Sequence, residues 1–184
     1  MQISTFTKQF HYYKSLGDKS FEQVSDEQLF QQFNEDSNSI AIIVKHISGN
    51  MKSRFTDFLT SDGEKDWRHR DQEFEMDFNK RDELIELWES GWSILFSCLE
   101  ELTDDDFENI VYIRNEGHTV FEALMRQFAH YSYHIGQIVS LAKILTDGKW
   151  KSLSVPKGES KNFNQKMFSK PKGKRHFIDG VDEN

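Results

Sequence analysis

No proline precedes Pro156, and Pro171 is the only other proline in the chain. Because proline breaks the interior of a helix, nothing in the part of the chain before Pro156 forbids long helices on that ground. Several segments there repeat apolar residues at alternating spacings of three and four, which is the period of an amphipathic helix. The clearest stripe consists of Leu124, Phe128, Tyr131, Ile135, Ile138, Ala142 and Leu145. These features predict an all-α fold.

The same pattern predicts four long helices. The second of them starts near Asn38, a residue type that commonly caps helices, and the last follows a capping box from Thr119 to Glu122. A shorter helical turn is expected after a second capping box that begins at Ser25. The four helices are predicted at residues 2–23, 38–60, 80–102 and from 120 to about 145.

Three segments fall outside this pattern. Residues 61–79 are polar, charged and without periodicity, which predicts a long loop between the second and third helices. Residues 111–118 indicate a short strand pair or an extended loop. Residues 151–184 are rich in Lys, Gly, Ser and Pro. We therefore expect a helical domain of residues 1–150 followed by a tail that wraps the domain or a partner subunit and ends in disorder.

Composition excludes several classes of protein. The chain has 184 residues and a formal net charge of -8, which disfavours nucleic acid as a partner. No run of about 18 apolar residues is present, so no membrane span is expected, and the first residues lack the apolar core of a secretory signal. Cys98 is the only cysteine, so no disulfide can form within the chain. These features predict a cytoplasmic protein.

Two histidines in the fourth helix have the spacing of a metal site. His130 and His134 are four residues apart, so they lie on one face of a helix, one turn apart. A metal site of useful affinity needs a third ligand, and His46, beside the apolar stripe of the second helix, is the predicted one. Three protein ligands leave one coordination position of a tetrahedral ion open for water or a substrate. The alternative is that His130 and His134 are polar residues at the edge of a packed helix and that His46 is a hydrogen-bonded residue of the core.

Other polar residues are predicted to support the ligands or to contact a substrate. Asn50 and Gln137 follow His46 and His134 by about one turn on the same helices. The alternative is that each of them packs against neighbouring residues or lies at the surface without a role in function.

Charged residues of the long loop are a further set of this kind. Arg68 and Arg70, with Asp71 and Glu73, are predicted to bind or orient a substrate, or else to form a solvated surface. An acidic residue of segment 64–75 also remains open as a fourth metal ligand, which would close the site and favour a structural role.

Three stretches of the chain resemble the DinB superfamily, which includes YfiT-like proteins regarded as metal hydrolases. They are Asn38–Met51, Ser61–Asp71 and Arg126–Ile138, and they look like a branch of that superfamily known only as a domain of unknown function. The resemblance covers nearly the whole chain to about residue 165. It implies an up-down-down-up four-helix bundle with a long loop between helices 2 and 3 and an extended C-terminal tail.

The resemblance also implies a divalent metal ion, zinc or nickel, held by His46, His130 and His134. Relatives in the superfamily include transferases and isomerases that use bacillithiol, mycothiol or glutathione, and many form homodimers. A fold of this kind carries several chemistries, so family membership does not define the reaction.

Two hypotheses of function follow. The first is a metal-dependent hydrolase or thiol-dependent S-transferase that acts on a small molecule through an activated water or low-molecular-weight thiol. The second is a metal-stabilised bundle without catalysis that serves as a dimeric interaction or stress-response scaffold. DNA binding is disfavoured, because the chain is acidic and has no basic stripe.

Overall fold

The computed structural model describes residues 2–176 and is mostly helical. Two short 3-10 helices, Arg70–Phe74 and Asp104–Glu108, lie in connections, and β1 (Ile110–Ile113) and β2 (Glu116–Thr119) form a small sheet. The predictions of an all-α fold in the broad sense and of a short strand pair near residues 111–118 are confirmed. The α-helices of these residues, α1 to α6, are Gln2–Phe21, Asp26–Phe30, Ile40–Phe55, Arg81–Glu101, Val120–Leu145 and Ser160–Phe168.

Helix α5 begins where its capping box predicts. The Thr119 hydroxyl accepts a hydrogen bond from the Glu122 backbone N–H, and the Glu122 carboxylate accepts one from the Thr119 backbone N–H. Helix α3, in contrast, is capped by Ser39 rather than Asn38, and it ends several residues before the predicted position near Thr60. The reason is that Thr56 leaves the helical region of φ and ψ, and Asp57 adopts a φ of 49°.

The long helices α1, α3, α4 and α5 share one apolar core. Helix α3 lies against α4 and α5, and α1 lies against α5 and α4. Aromatic side chains fill much of the interior. The centre of the Trp92 ring lies 6.3 Å from the ring centre of Phe10 and 6.1 Å from that of Tyr131. Burial of such large side chains is a major favourable term in folding. This core therefore determines how α3 and α5, which carry the three predicted ligands, face each other.

Helices α3 and α4 are in close contact at Gly91. A Cβ atom added at Gly91 would lie 2.9 Å from Cα of Ser48, which is closer than two carbon atoms pack. The absence of a side chain at Gly91 therefore permits the close packing of these two helices.

The long connection between α3 and α4 is attached to the hairpin of β1 and β2. The two strands are antiparallel and joined by Arg114 and Asn115, whose φ angles are 56° and 61°. The Asp62 carboxylate accepts hydrogen bonds from both of these backbone N–H groups at 2.8 Å. Gly63 donates to the Tyr112 carbonyl at 2.8 Å. The first half of the connection is therefore held in place.

The tail contacts helix α1 and the turn that follows this helix. The Gln23 amide exchanges two hydrogen bonds with the Lys151 backbone, and Gln9 Nε2 lies 3.3 Å from His176 Nε2. Between these points lies the exposed helix α6. The domain boundary at residue 150 and the wrapping of a partner subunit stay predictions, and the disorder predicted for the end of the tail falls on residues 177–184, outside the described residues. None of the helices described is long and apolar enough to span a bilayer.

Gly91→Ala should lower the free energy of unfolding by about 1–2 kcal/mol. Overpacking against a backbone atom costs up to about 3 kcal/mol and exceeds the gain in helix propensity of about 1 kcal/mol. Gly136→Ala on α5 is the matched control, because an added Cβ there meets nothing within 4 Å, and it should stabilise the protein slightly. Urea denaturation measures both. A stabilised Gly91→Ala protein would contradict the close approach of α3 and α4.

Candidate metal centre

The structure brings together the three histidines predicted as ligands. His46 lies on α3, and His130 and His134 lie one turn apart on α5. Nε2 of His130 is 3.3 Å from Nε2 of His46 and 3.1 Å from Nε2 of His134. One ring nitrogen from each residue lies within 4.8 Å of the other two. Such a cluster is compatible with metal binding, and metal binding itself stays a prediction.

The outer edges of two of these rings make hydrogen bonds. Nδ1 of His46 donates to Oε2 of Glu73 at 2.8 Å, and Nδ1 of His134 donates to Oε1 of Gln137 at 2.8 Å. The ring of Phe74 packs against His46, with the ring centres 4.8 Å apart. These contacts orient both imidazoles and leave their Nε2 atoms directed at the cluster.

The three Nε2 atoms that face one another have too few protons for all of them to form hydrogen bonds among themselves. In the neutral rings, a proton on Nδ1 of His46 and of His134 leaves a lone pair on Nε2 of each, and both of these Nε2 atoms face Nε2 of His130. A single proton on Nε2 of His130 satisfies one of them at most. A second proton on His130 would lie on Nδ1 and would not change this, and burial followed by the neighbouring imidazoles disfavours it by lowering the pKa of His130 to about 3. A cation at the centre satisfies all three nitrogens.

The donor set fits a divalent transition metal. Imidazole nitrogens bind zinc at about 2.0–2.1 Å, so two of them on one tetrahedral ion lie about 3.3 Å apart. The contacts of 3.1 Å and 3.3 Å agree with this separation. Imidazole ligands suit zinc, nickel, copper and iron alike. With three protein ligands, a tetrahedral ion keeps one position for another molecule.

Behind His46 lies a buried network of charges. Arg68 donates to Oε1 of Glu73 from Nε at 2.7 Å and to Oε2 from Nη2 at 2.9 Å. Burial by itself raises the pKa of Glu73, but hydrogen bonds from His46 and Arg68 outweigh it and hold that pKa below its usual value. The Glu73 carboxylate is therefore ionised and accepts a hydrogen bond from Nδ1 of His46.

The four residues predicted to support the ligands or to contact a substrate occupy different places. Gln137 contacts His134, and Arg68 contacts a ligand only through Glu73. Asn50 is buried and accepts a hydrogen bond from the Tyr131 hydroxyl at 2.9 Å. Arg70 is half-exposed, and its guanidinium carbon lies 5.2 Å from the centre of the Phe74 ring. A substrate role for Arg70 stays a prediction.

Sequence reasoning missed the contact between Glu73 and His46. It left an acidic residue of segment 64–75 open as a fourth ligand, whereas Glu73 contacts the outer nitrogen of His46. Within residues 2–176, the group at this site that could hold a metal ion consists of the three histidines. The available signal was the apolar alternation of Phe74, Met76 and Phe78, the last two of which pack against the core. That alternation indicates that the connection returns to the apolar core of the helices.

Tyr131→Phe should lower the free energy of unfolding by about 1–3 kcal/mol, because Oδ1 of Asn50 would stay buried without a donor. Burial raises the pKa of Tyr131, so its hydroxyl keeps the proton that it donates. Tyr133→Phe is the matched control, since Tyr133 is 63% exposed and its loss should cost less than about 0.5 kcal/mol. Urea denaturation of the metal-free proteins compares the two. Equal losses would contradict a structural role for the pair of Tyr131 and Asn50.

Comparison with known proteins adds one finding. Residues 2–159 match the model of a family described as "Protein of unknown function (DUF1572)". Searches of curated proteins and of solved structures gave no significant match. The family match extends from α1 to the start of the tail and includes all three histidines of the cluster. The chain belongs to the DUF1572 family.

Proposed function

We propose that this chain is a divalent-metal-binding enzyme, either a hydrolase or a thiol-dependent S-transferase, that acts on a small molecule at the three-histidine site. The observation that carries the proposal is the convergence of three Nε2 atoms, two of which belong to rings whose protons are held on Nδ1. His46, His130 and His134 would be the ligands. Zinc and nickel are the proposed ions.

An ion held there would supply the Lewis acidity that activates a water molecule or a thiol such as bacillithiol. The protein contributes orientation and access. His46 is buried and fixed by Glu73, whereas His130 and His134 are half-buried, so a small molecule can approach from the side of α5. Arg70, half-exposed near Phe74, is proposed to attract an anionic group of the substrate.

The same proposal includes the finer points of fold and assembly. Resemblance of three sequence stretches to the DinB superfamily supports an up-down-down-up four-helix bundle and a homodimer in the cytoplasm. The mutual packing of α1, α3, α4 and α5 around one core supports the bundle. The proposed partners are a second copy of the chain and a small-molecule substrate, without nucleic acid or membrane.

A metal-stabilised scaffold without catalysis is the second candidate function. It is favoured by the position of two cavities that are lined by residues other than the three histidines. One, of about 310 Å³, is lined by residues of α1 and α5 such as Phe6 and Phe128. The other, of about 530 Å³, is lined by residues that include Lys45 and Glu86. In this function the ion ties α3 to α5.

Protein purified without a metal-affinity tag should contain about one zinc or nickel ion per chain. His46→Ala and His134→Ala should each lose it, because two imidazoles do not form a site of useful affinity. His118→Ala is the control, since His118 lies beside Arg126 and outside the cluster. Elemental analysis measures the content. Folded wild-type protein that stays metal-free after reconstitution with both ions would show that the proposal is wrong.

Cobalt-substituted protein distinguishes the two candidate functions. An open coordination position predicts that bacillithiol adds a thiolate-to-cobalt charge-transfer band, and that azide changes the visible spectrum. Bacillithiol with its sulfur alkylated is the control and should add no such band. Absorption spectroscopy makes the measurement. A spectrum unchanged by both bacillithiol and azide would contradict catalysis at this site and support the scaffold.

A further inference from the structure

The long connection between α3 and α4 returns to α3 through its 3-10 helix Arg70–Phe74. There the Glu73 carboxylate accepts the hydrogen bond from Nδ1 of His46. We infer that Glu73 is a positioning residue for His46 and that it couples metal binding to the folding of this connection. The inference rests on the proposed metal site.

Both oxygens of the Glu73 carboxylate are held. Arg68 donates to each of them, and the side chains of Arg68 and Glu73 are only 3% and 8% exposed. A guanidinium that binds a carboxylate through two parallel hydrogen bonds fixes the plane of that carboxylate. Oε2 of Glu73 therefore meets the His46 ring in one orientation. Carboxylates in this position hold metal-bound imidazoles in other proteins and strengthen them as ligands.

Helix α3 makes room for this carboxylate at Gly49. A Cβ atom added at Gly49 would lie 2.5 Å from Oε1 and 2.9 Å from the carboxyl carbon of Glu73. Gly49 follows His46 by three residues, so both lie on the same face of the helix. The carboxylate is thus packed against the backbone of α3 as well as bonded to its histidine.

The network continues from Glu73 back to α3. Arg68 Nη1 donates to Oε2 of Glu64 at 3.2 Å, and Arg54 on α3 donates to the same oxygen from Nη1 and Nη2 at 3.0 Å. Removal of one member of a buried ionic network leaves the others desolvated and unpaired. A metal ion bound at Nε2 of His46 would therefore restrict the motion of Glu73 and Arg68, and of the backbone that carries these two residues. Residues 64–75 should open less often when the site is loaded.

Zinc affinity tests the positioning role, by competition with a chromogenic chelator. Glu73→Ala should weaken zinc binding by about 10-fold to 100-fold. Glu73→Gln should weaken it less, because the amide oxygen still accepts from Nδ1. Gly49→Ala keeps every charged group but displaces Glu73, and it should also weaken binding. Glu75→Gln is the matched control, since Glu75 is exposed and lies outside the network, and its affinity should equal that of the wild type.

Hydrogen exchange tests the coupling, with and without saturating zinc. Zinc should slow exchange in residues 64–75 of the wild type and of Glu75→Gln, and it should fail to do so in zinc-saturated Glu73→Ala. A residue with a merely structural role would change the unfolding midpoint but not this zinc-dependent protection.

The outcomes are distinguishable. A wild-type chain that binds no zinc overturns the proposed function and this inference with it. If the wild type binds zinc and the Glu73→Ala and Gly49→Ala proteins match it in affinity and protection, the inference alone is overturned. Should Glu73→Ala not fold, Glu73→Gln and Gly49→Ala make the same comparison with Glu75→Gln.

Discussion

The hydrogen bond from Nδ1 of His46 to the Glu73 carboxylate determines what the opposite edge of that ring can do. A neutral imidazole that donates a hydrogen bond from Nδ1 has a lone pair on Nε2, at the opposite edge of the ring. Gln137 has the same effect on His134 as Glu73 has on His46. The aromatic core then sets α3 and α5 so that these Nε2 atoms meet at His130. The site therefore depends on two side-chain oxygens, those of Glu73 and Gln137, and on the packing of α3 and α5.

This arrangement carries a cost in stability. Arg54, Arg68 and Glu73 are largely buried, and a buried ion pair seldom stabilises a protein more than apolar residues of the same size would. The apolar core, with Trp88 and Trp92 almost fully enclosed, supplies the burial that offsets it. Charges retained at such a cost next to three converging imidazoles are typical of a functional site.

Sequence reasoning succeeded where the geometry is local. The spacing of His130 and His134 and the capping box at Thr119 are properties of one helix, so periodicity predicted α5 and the shared face of its histidines. His46 required a further step, since its partner helix is far away in the chain, but an apolar stripe beside a polar ring indicated its burial.

The connection was the part that periodicity did not describe. Its polar residues look alike in sequence, and only the tertiary fold separates the buried Arg68 and Glu73 from the exposed Arg70 and Asp71. The early end of α3 was missed for a related reason, because the left-handed φ of Asp57 is imposed by the turn into that connection.

The two anchors of the connection also restrict how the chain can change in length. Asp62 is hydrogen-bonded to the backbone of the hairpin turn, and Glu73 is hydrogen-bonded to the His46 side chain of α3. An insertion or deletion between these residues would move one anchor away from its partner, whereas a substitution at an exposed position between them, such as Asp71, leaves both anchors in register. Natural variation in this segment is therefore expected to alter the kinds of residue it contains far more readily than their number.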